Sequence, residues 1–492
     1  MSVNRNILST VLAALIIVFF NFEASTQSVN PSTPILLKGS VLDERGNGIS
    51  GVAVTDGINV VSTNSKGAYS FYTTKEASFV YITLPSGYEI PTDKGIAQFY
   101  KKIEPVNGQF VAIFRLQKLK RSDHKHFTVL WADPQINTDE QAMQLISVSA
   151  PDTKAHVEEL QKQGPVHGIT AGDIYWDNAA MIPPYRKAVE VTGIPFFQVL
   201  GNHDMDFNAR SDEESDNTFQ NNFGPTWYSF NRGNAHYVVL DNVFYYSNGY
   251  NYIGYITERQ LRWLEQDLSR VKPGAPVFVS MHISCYTHEK RRHKRKEDHP
   301  GNITFNRDVL YKMLEPFNAH LLTGHTHYNE NVMEGGVYEH ITAALCGAWW
   351  TTPICTDGTP AGYGIYEVDG NQVRWYYKSA GYSKDYQMRV YNRGRYGSRP
   401  NDIAVNVWNW DKDWKVEWIE DGRSMGQMKQ ETAQDADAID TMAGPEKPGK
   451  YSWIEPDMTD HLFFATPSPG AKTIIIEVTD RFGNKYRETI RL

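Results

Sequence analysis

Gly201-Asn202-His203-Asp204 follows an apolar run, Ile194 to Leu200, that reads as a buried strand of a parallel sheet. In open α/β sheets ligands bind beyond the carboxyl ends of the strands. An amide, an imidazole and a carboxylate in a row therefore stand where chemistry is usually done. A polar turn after one strand is ordinary. Here four more apolar runs end the same way. Phe127 to Ala132 runs into Asp133-Pro134-Gln135, and Val166 to Ala171 into Gly172-Asp173. Val277 to Met281 runs into His282, and Ala319 to Thr323 into Gly324-His325-Thr326-His327. Segments of helical character lie between them, so the order is β-α-β and the sheet is expected to be largely parallel.

The chain has 492 residues, which is too many for one core. Charged residues are 22% and hydrophobic ones 41%, as in ordinary soluble protein. A net charge of -8 argues against a nucleic-acid partner held by overall charge. Aromatic residues, at 13%, point to β-rich domains. At the N-terminus Arg5 precedes an apolar stretch from Ile7 to Phe20, then small and polar residues. The stretch is short for a membrane span, so residues 1–27 are expected to be a cleaved signal peptide and the protein to be exported, periplasmic or secreted. No stable transmembrane anchor is expected. Cys346 and Cys355 can pair across a short loop or stay as free thiols, and the spacing leaves both open.

Residues 35–118 show short alternating strands with Gly/Asn turns and read as a β-sandwich with a supporting role. Lys118 to Lys125 is polar and basic and reads as a linker. Residues 126–380 form the α/β region, with a further strand from Ala235 to Leu240 and a helix from Glu258 to Val271. Tyr363 to Val368 and Gln372 to Tyr377 alternate as strands. Residues 386–492 form a second β-sandwich, with Gln427 to Lys447 expected as a surface excursion.

The residues at the strand ends mix carboxylate, amide and imidazole, a set that suits first-row divalent metals. Two ions about 3.5–4 Å apart would use them all and would clamp an in-line phosphoryl displacement. Taken in order, Asp133-Pro134-Gln135, Gly172-Asp173, Gly201-Asn202-His203-Asp204, His282 and Gly324-His325-Thr326-His327 resemble the five-block signature of the calcineurin-like metallophosphoesterases. The flanking sandwiches are similar to the modules of one exported bacterial branch, the first of them transthyretin-like or carboxypeptidase-regulatory-like. This resemblance implies a central αββα sandwich between two β-sandwich domains, and two divalent ions, Mn, Fe or Zn. It implies that Asp173 bridges the ions. Asp133 and His327, with Gln135 nearby, would hold the first; Asn202, His282 and His325 would hold the second. A metal-bridging hydroxide would attack an anionic phosphoester, monoester or diester. His203 would assist the leaving group and Asp204 would orient His203. The first block departs from the family's Asp-x-His, so Gln135 is either a weak ligand or a bystander. A scaffold that kept the fold and lost turnover is the alternative, and glycan binding by the sandwiches can coexist with either.

Asp177, His236 and Asp241 read as structural. The basic run from His288 to Lys296 follows His282 closely, so Arg291 and Arg292 are candidates for drawing an anionic substrate to the site. Tyr286, Trp349 and Trp350 are candidates for the same mouth, or for packing beneath it.

Overall fold

Two mixed sheets face each other at the centre of the protein, and a computed structural model describes residues 34–247, 251–445 and 447–492. The leader expected over 1–27 lies outside the described residues. Among the described residues no helix is long and apolar enough to cross a membrane.

The first sheet has seven strands, in the order Gln372–Ser379, Gly362–Asp369, Lys125–Trp131, Val166–Thr170, Phe196–Gln198, Ile96–Ala97, Thr92–Asp93. Its middle strands are parallel, and Gly362–Asp369 runs antiparallel beside them. The second sheet has six strands, in the order Tyr228–Arg232, Ala235–Val239, Pro276–Ser280, Asn318–Thr323, Val337–Ile341, Glu330–Glu334. The expected parallel sheet is thus two mixed sheets. The β-α-β order was legible, but not that the crossovers divide into two sets. Strands buried on both faces read as continuous apolar runs for this reason.

Between the sheets the core is aromatic. Phe197 stacks on Phe230 at 3.8 Å, Phe230 on Tyr237 at 4.8 Å, Tyr237 on Phe278 at 4.8 Å, and Phe278 on His320 at 5.2 Å. On the outer face of the first sheet Val129, Trp131 and Phe196 pack against helices Ala150–Gln161 and Ile182–Thr192. On the outer face of the second, Val238, Val277 and Val279 pack against Glu258–Leu268 and Arg307–Leu314. The result is the αββα sandwich that the resemblance implied.

The N-terminal module is a sandwich of a three-stranded and a four-stranded sheet. It is fused to the centre, since Ile96 pairs with Phe196 at the edge of the seven-stranded sheet. The basic stretch after it is pinned: Arg121 donates to the carbonyls of Gln161 and Gln163, both at 2.7 Å. Asp123 is buried and accepts from the Gly87 amide at 2.9 Å.

Two four-stranded antiparallel sheets make the C-terminal module. Its expected surface excursion is regular structure: strand Lys429–Gln434 lies exposed to half-buried at the surface, and helix Ala436–Met442 packs into the fold. Asp435 caps that helix, and Ala438 and Met442 bury against Ala348, Ile354 and Ile454. A helix of about two turns is too short to show a period in sequence.

Arg291 and Arg292, expected to face substrate, hold this module to the centre. Arg292 is buried, 2.8 Å from Glu330 and 3.8 Å from Asp460, with its guanidinium over the Tyr328 ring at 4.5 Å. Arg291 pairs with Asp460, and His293 with Asp457 at 2.6 Å. Burial alone would raise the Glu330 carboxyl, but Arg292 and His288 outweigh it and pull it down to about 2. A carboxyl held below its ordinary value of about 4.3 contributes stability above that pH, and loses it as pH falls through the folded value. The junction is therefore expected to weaken between about pH 4.3 and about pH 2. Arg292→Met takes from Glu330 its main counter-charge, leaving His288, and should cost about 3 kcal/mol at neutral pH, the low end for a broken buried pair. Denaturant unfolding checks this, with Arg291→Ala, at an exposed pair, expected to cost no more than about 1 kcal/mol.

Candidate metal centre

Five strand ends, three from the first sheet and two from the second, deliver their polar residues to one buried place. Asp173 stands at its middle. The Asp173 Oδ1 accepts from the His203 amide at 2.9 Å and lies 3.2 Å from His282 Nε2. Its Oδ2 accepts from Gln135 Nε2 at 3.2 Å. His282 Nε2 is also 3.0 Å from Asn202 Oδ1 and 3.1 Å from His325 Nδ1. Asp173, His282 and His325 each present a ligand atom within 4.8 Å of the others. Asp133 lies 3.6 Å from His327 Nε2 and accepts from the His325 amide at 3.0 and 3.1 Å. All seven sequence-predicted ligands, Asp133, Gln135, Asp173, Asn202, His282, His325 and His327, thus join one network.

Local backbone geometry puts them there. Asp133, Gln135, Asp173, Asp177, His325 and His327 all have positive φ, between 42° and 73°. Such angles are uncommon for residues with a side chain and cluster at functional sites. Two glycines permit the close approach. A Cβ on Gly172 would lie 2.4 Å from His282 Nδ1, and one on Gly201 2.0 Å from the Asp173 amide.

The donor set fits a cation. His282 Nδ1 meets the Ala171 carbonyl at 2.8 Å and His327 Nδ1 the Gly347 carbonyl at 3.4 Å, so each ring carries its proton there and turns Nε2 inward. The spacings of 3.0–3.2 Å around His282 Nε2 are those of donors sharing an ion through bonds of about 2.0–2.2 Å. Gln135 is 1% exposed, and its Oε1 is buried without a hydrogen-bond partner. Leaving such an oxygen unpaired costs about 1–3 kcal/mol, which a cation would offset.

The charges conflict without one. Burial raises the Asp133 carboxyl well above the usual range. Burial also opposes ionisation of Asp173, but His282 and His203 outweigh it and hold that carboxyl low. Burial would lower His282, yet Asp173 more than offsets it and pushes the imidazole up to about 9. Burial drives His325 and His327 down.

The structure separates His203 and Asp204. His203 lies at the rim, its side chain 18% exposed, with Nδ1 2.7 Å from Asp177 Oδ1. Asp204 was expected to orient this ring. Its carboxylate instead accepts from the amides of Gly201 at 2.9 Å and of Ile174 and Tyr175 at 3.2 Å. Asp204 closes the turn over Asn202–Asp204, and Asp177, read as structural from sequence, meets the imidazole. The signal for Asp177 was weak: a lone acid four residues after Asp173 in a polar loop. His236 pairs with Asp267 at 2.8 Å inside the fold, and Asp241 Oδ1 accepts from the Val243 amide at 3.0 Å. The three cysteines are free and buried. Trp349 stacks on His327 at 4.0 Å, Trp350 donates to the Pro134 carbonyl at 2.9 Å, and Tyr286 lies under Arg307 at 5.5 Å.

Three family models match the chain. Calcineurin-like phosphoesterase matches residues 133–329. The N terminal of calcineurin-like phosphoesterase matches 36–119, and the C terminal of calcineurin-like phosphoesterase matches 339–486. No curated protein matches. Among solved structures, a dimetal phosphatase from Danio rerio is 13% identical, with 52% of this chain and 96% of that chain covered and a TM-score of 0.35. Purple acid phosphatase from yellow lupin seeds is 13% identical, with 71% and 68% covered and a TM-score of 0.37.

Gly201→Ala drives a methyl group into the Asp173 backbone and should weaken divalent-ion binding by about 10–100-fold, the range for disturbed ligand support. Titration of the metal-stripped protein with Mn²⁺ in a calorimeter measures it.

Proposed function

The chain belongs to the calcineurin-like phosphoesterases, and on that premise we propose that it hydrolyses a phosphomonoester or phosphodiester outside the cytoplasm with two divalent ions of the first transition row. The observation that carries the reading is the buried donor set around Asp173, with the Gln135 amide oxygen unpaired beside it. On this reading Asp133, Gln135 and His327 would hold one ion and Asn202, His282 and His325 the other, with Asp173 shared between them. When bound, the ions supply Lewis acidity toward the phosphoryl oxygens and make water nucleophilic at neutral pH.

The remaining work falls to side chains of the chain itself. His203 stands at the rim beside the bridging carboxylate. Asp177 holds its Nδ1, and the ring gives a proton to the leaving alkoxide. Burial works against the charged imidazole, but Asp173 and Asp177 outweigh it and keep the proton on the ring. Asp177 is the positioning residue, and Asp204 keeps the turn under His203 in shape. Export is supported by Arg5 and the apolar stretch from Ile7 to Phe20.

Asp173→Ala and Asn202→Ala should each abolish hydrolysis of para-nitrophenyl phosphate and lower the metal content measured by mass spectrometry. His203→Ala should keep the ions and lose about 10²–10⁴ in rate on an alkyl phosphate, with a smaller loss on the nitrophenyl ester, whose leaving group needs no proton. Asp177→Asn should show the same leaving-group dependence, in kcat more than in KM. Full activity of His203→Ala on the alkyl ester would remove His203 from the mechanism.

A further inference from the structure

An arc of aromatic rings begins and ends on two histidines of the site. Trp176 lies edge-on to His203, with ring centres 5.6 Å apart. Tyr451 lies 4.9 Å from Trp176, and Trp453 is 6.2 Å from both Trp176 and Tyr451. Trp453 meets Trp349 at 4.6 Å, and Trp349 stacks on His327 at 4.0 Å. Two of these rings come from the central domain and two from the C-terminal module. The arc is not sealed: Trp453 is 54% exposed. Trp349 and Tyr451 have φ of 49° and 59°. For residues of this bulk such angles are outliers that persist only where surrounding structure enforces them.

We propose that this arc is the subsite for the alcohol half of the substrate, and that it selects a phosphoester whose alcohol carries a flat aromatic ring. The inference rests on the phosphoesterase reading above. An exposed tryptophan among other rings, continuous with a polar centre, marks a binding surface. What the arc presents is ring faces and edges, which pair best with another π-system at centre distances of about 4.5–7 Å. A ring held there places its phosphoryl group between His203 and His327, the two histidines from which the arc springs. Recognition of a saturated sugar would need convergent polar groups for its hydroxyls. A purely structural seal between modules would bury Trp453.

Benzyl phosphate and cyclohexylmethyl phosphate test this, since they are close in bulk, both are esters of primary alcohols and only the first is a π-system. The native protein should favour benzyl phosphate in kcat/KM by about five- to tenfold. In Trp453→Ala and Tyr451→Ala that ratio should fall to about one. A packing role would lower stability and leave the ratio where it was. Calorimetry of the Mn²⁺-loaded protein with benzylphosphonate and cyclohexylmethylphosphonate gives the same comparison without turnover. A native ratio of one, or a ratio unchanged in folded Trp453→Ala, overturns the proposal. If neither phosphate is hydrolysed while the phosphonates are still discriminated, the phosphoesterase reading fails and the ring subsite stands.

Discussion

The Asp173 carboxylate, 1% exposed and charged among imidazoles, is the constraint on which the rest of the structure depends. A buried charge is tolerated only when it is paired and hydrogen-bonded. Asp173 takes a backbone amide from the Asn202–Asp204 turn, an amide group from Gln135 and the Nε2 of His282. These partners come from both sheets, so the sheets cannot slide without exposing the charge. The aromatic stack between them, from Phe197 to His320, gives the rigid base from which strained loops can be held. Left-handed backbone at six site residues is the local cost of that convergence.

The candidate centre was legible because each predicted ligand follows an apolar run, and a strand end is a fixed place in an α/β sandwich. What failed was inference from nearness in sequence. Asp204 follows His203, but a tight turn sends its carboxylate back to the Gly201 amide three residues earlier. Asp177 reaches His203 from the loop after another strand. Arg291 follows His282 closely, yet pairs with a carboxylate 169 residues further on. The charge of that run was readable, while its partners depend on how a separate module docks. Tyr451 and Trp453 sit between turn-forming residues without period 2 or 3.6, so nothing local marked them.

Gln135 carries weight in both readings of the chain. As a neutral side chain where the family pattern has histidine, it was the main support for a scaffold without turnover. Its amide nitrogen is engaged by Asp173 and its oxygen is buried without a partner. An amide oxygen is a ligand for the same hard and borderline cations as a carboxylate, without the negative charge. A site that replaces imidazole by amide there exchanges a nitrogen donor for an oxygen donor next to Asp173, and lowers the number of titrating groups in a crowded pocket.

The C-terminal module belongs to the centre rather than hanging from it. Asp357 is buried and accepts from the Asn329 amide at 2.7 Å, two residues beyond His327. His461 of the module meets the same carboxylate oxygen at 3.0 Å, and Asn406 donates to the Asp357 carbonyl at 3.0 Å. Burial would raise the Asp357 carboxyl, and His461 outweighs it. Without the module, Asp357 would lose His461, its counter-charge, immediately behind the His327 loop. The match of the C-terminal family model from residue 339 follows the same physics, because the chain from Glu339 onward supplies both the last strands of the central sheets and the sandwich that braces them. Ligand placement at His327 and closure of the aromatic arc are therefore set by one interface.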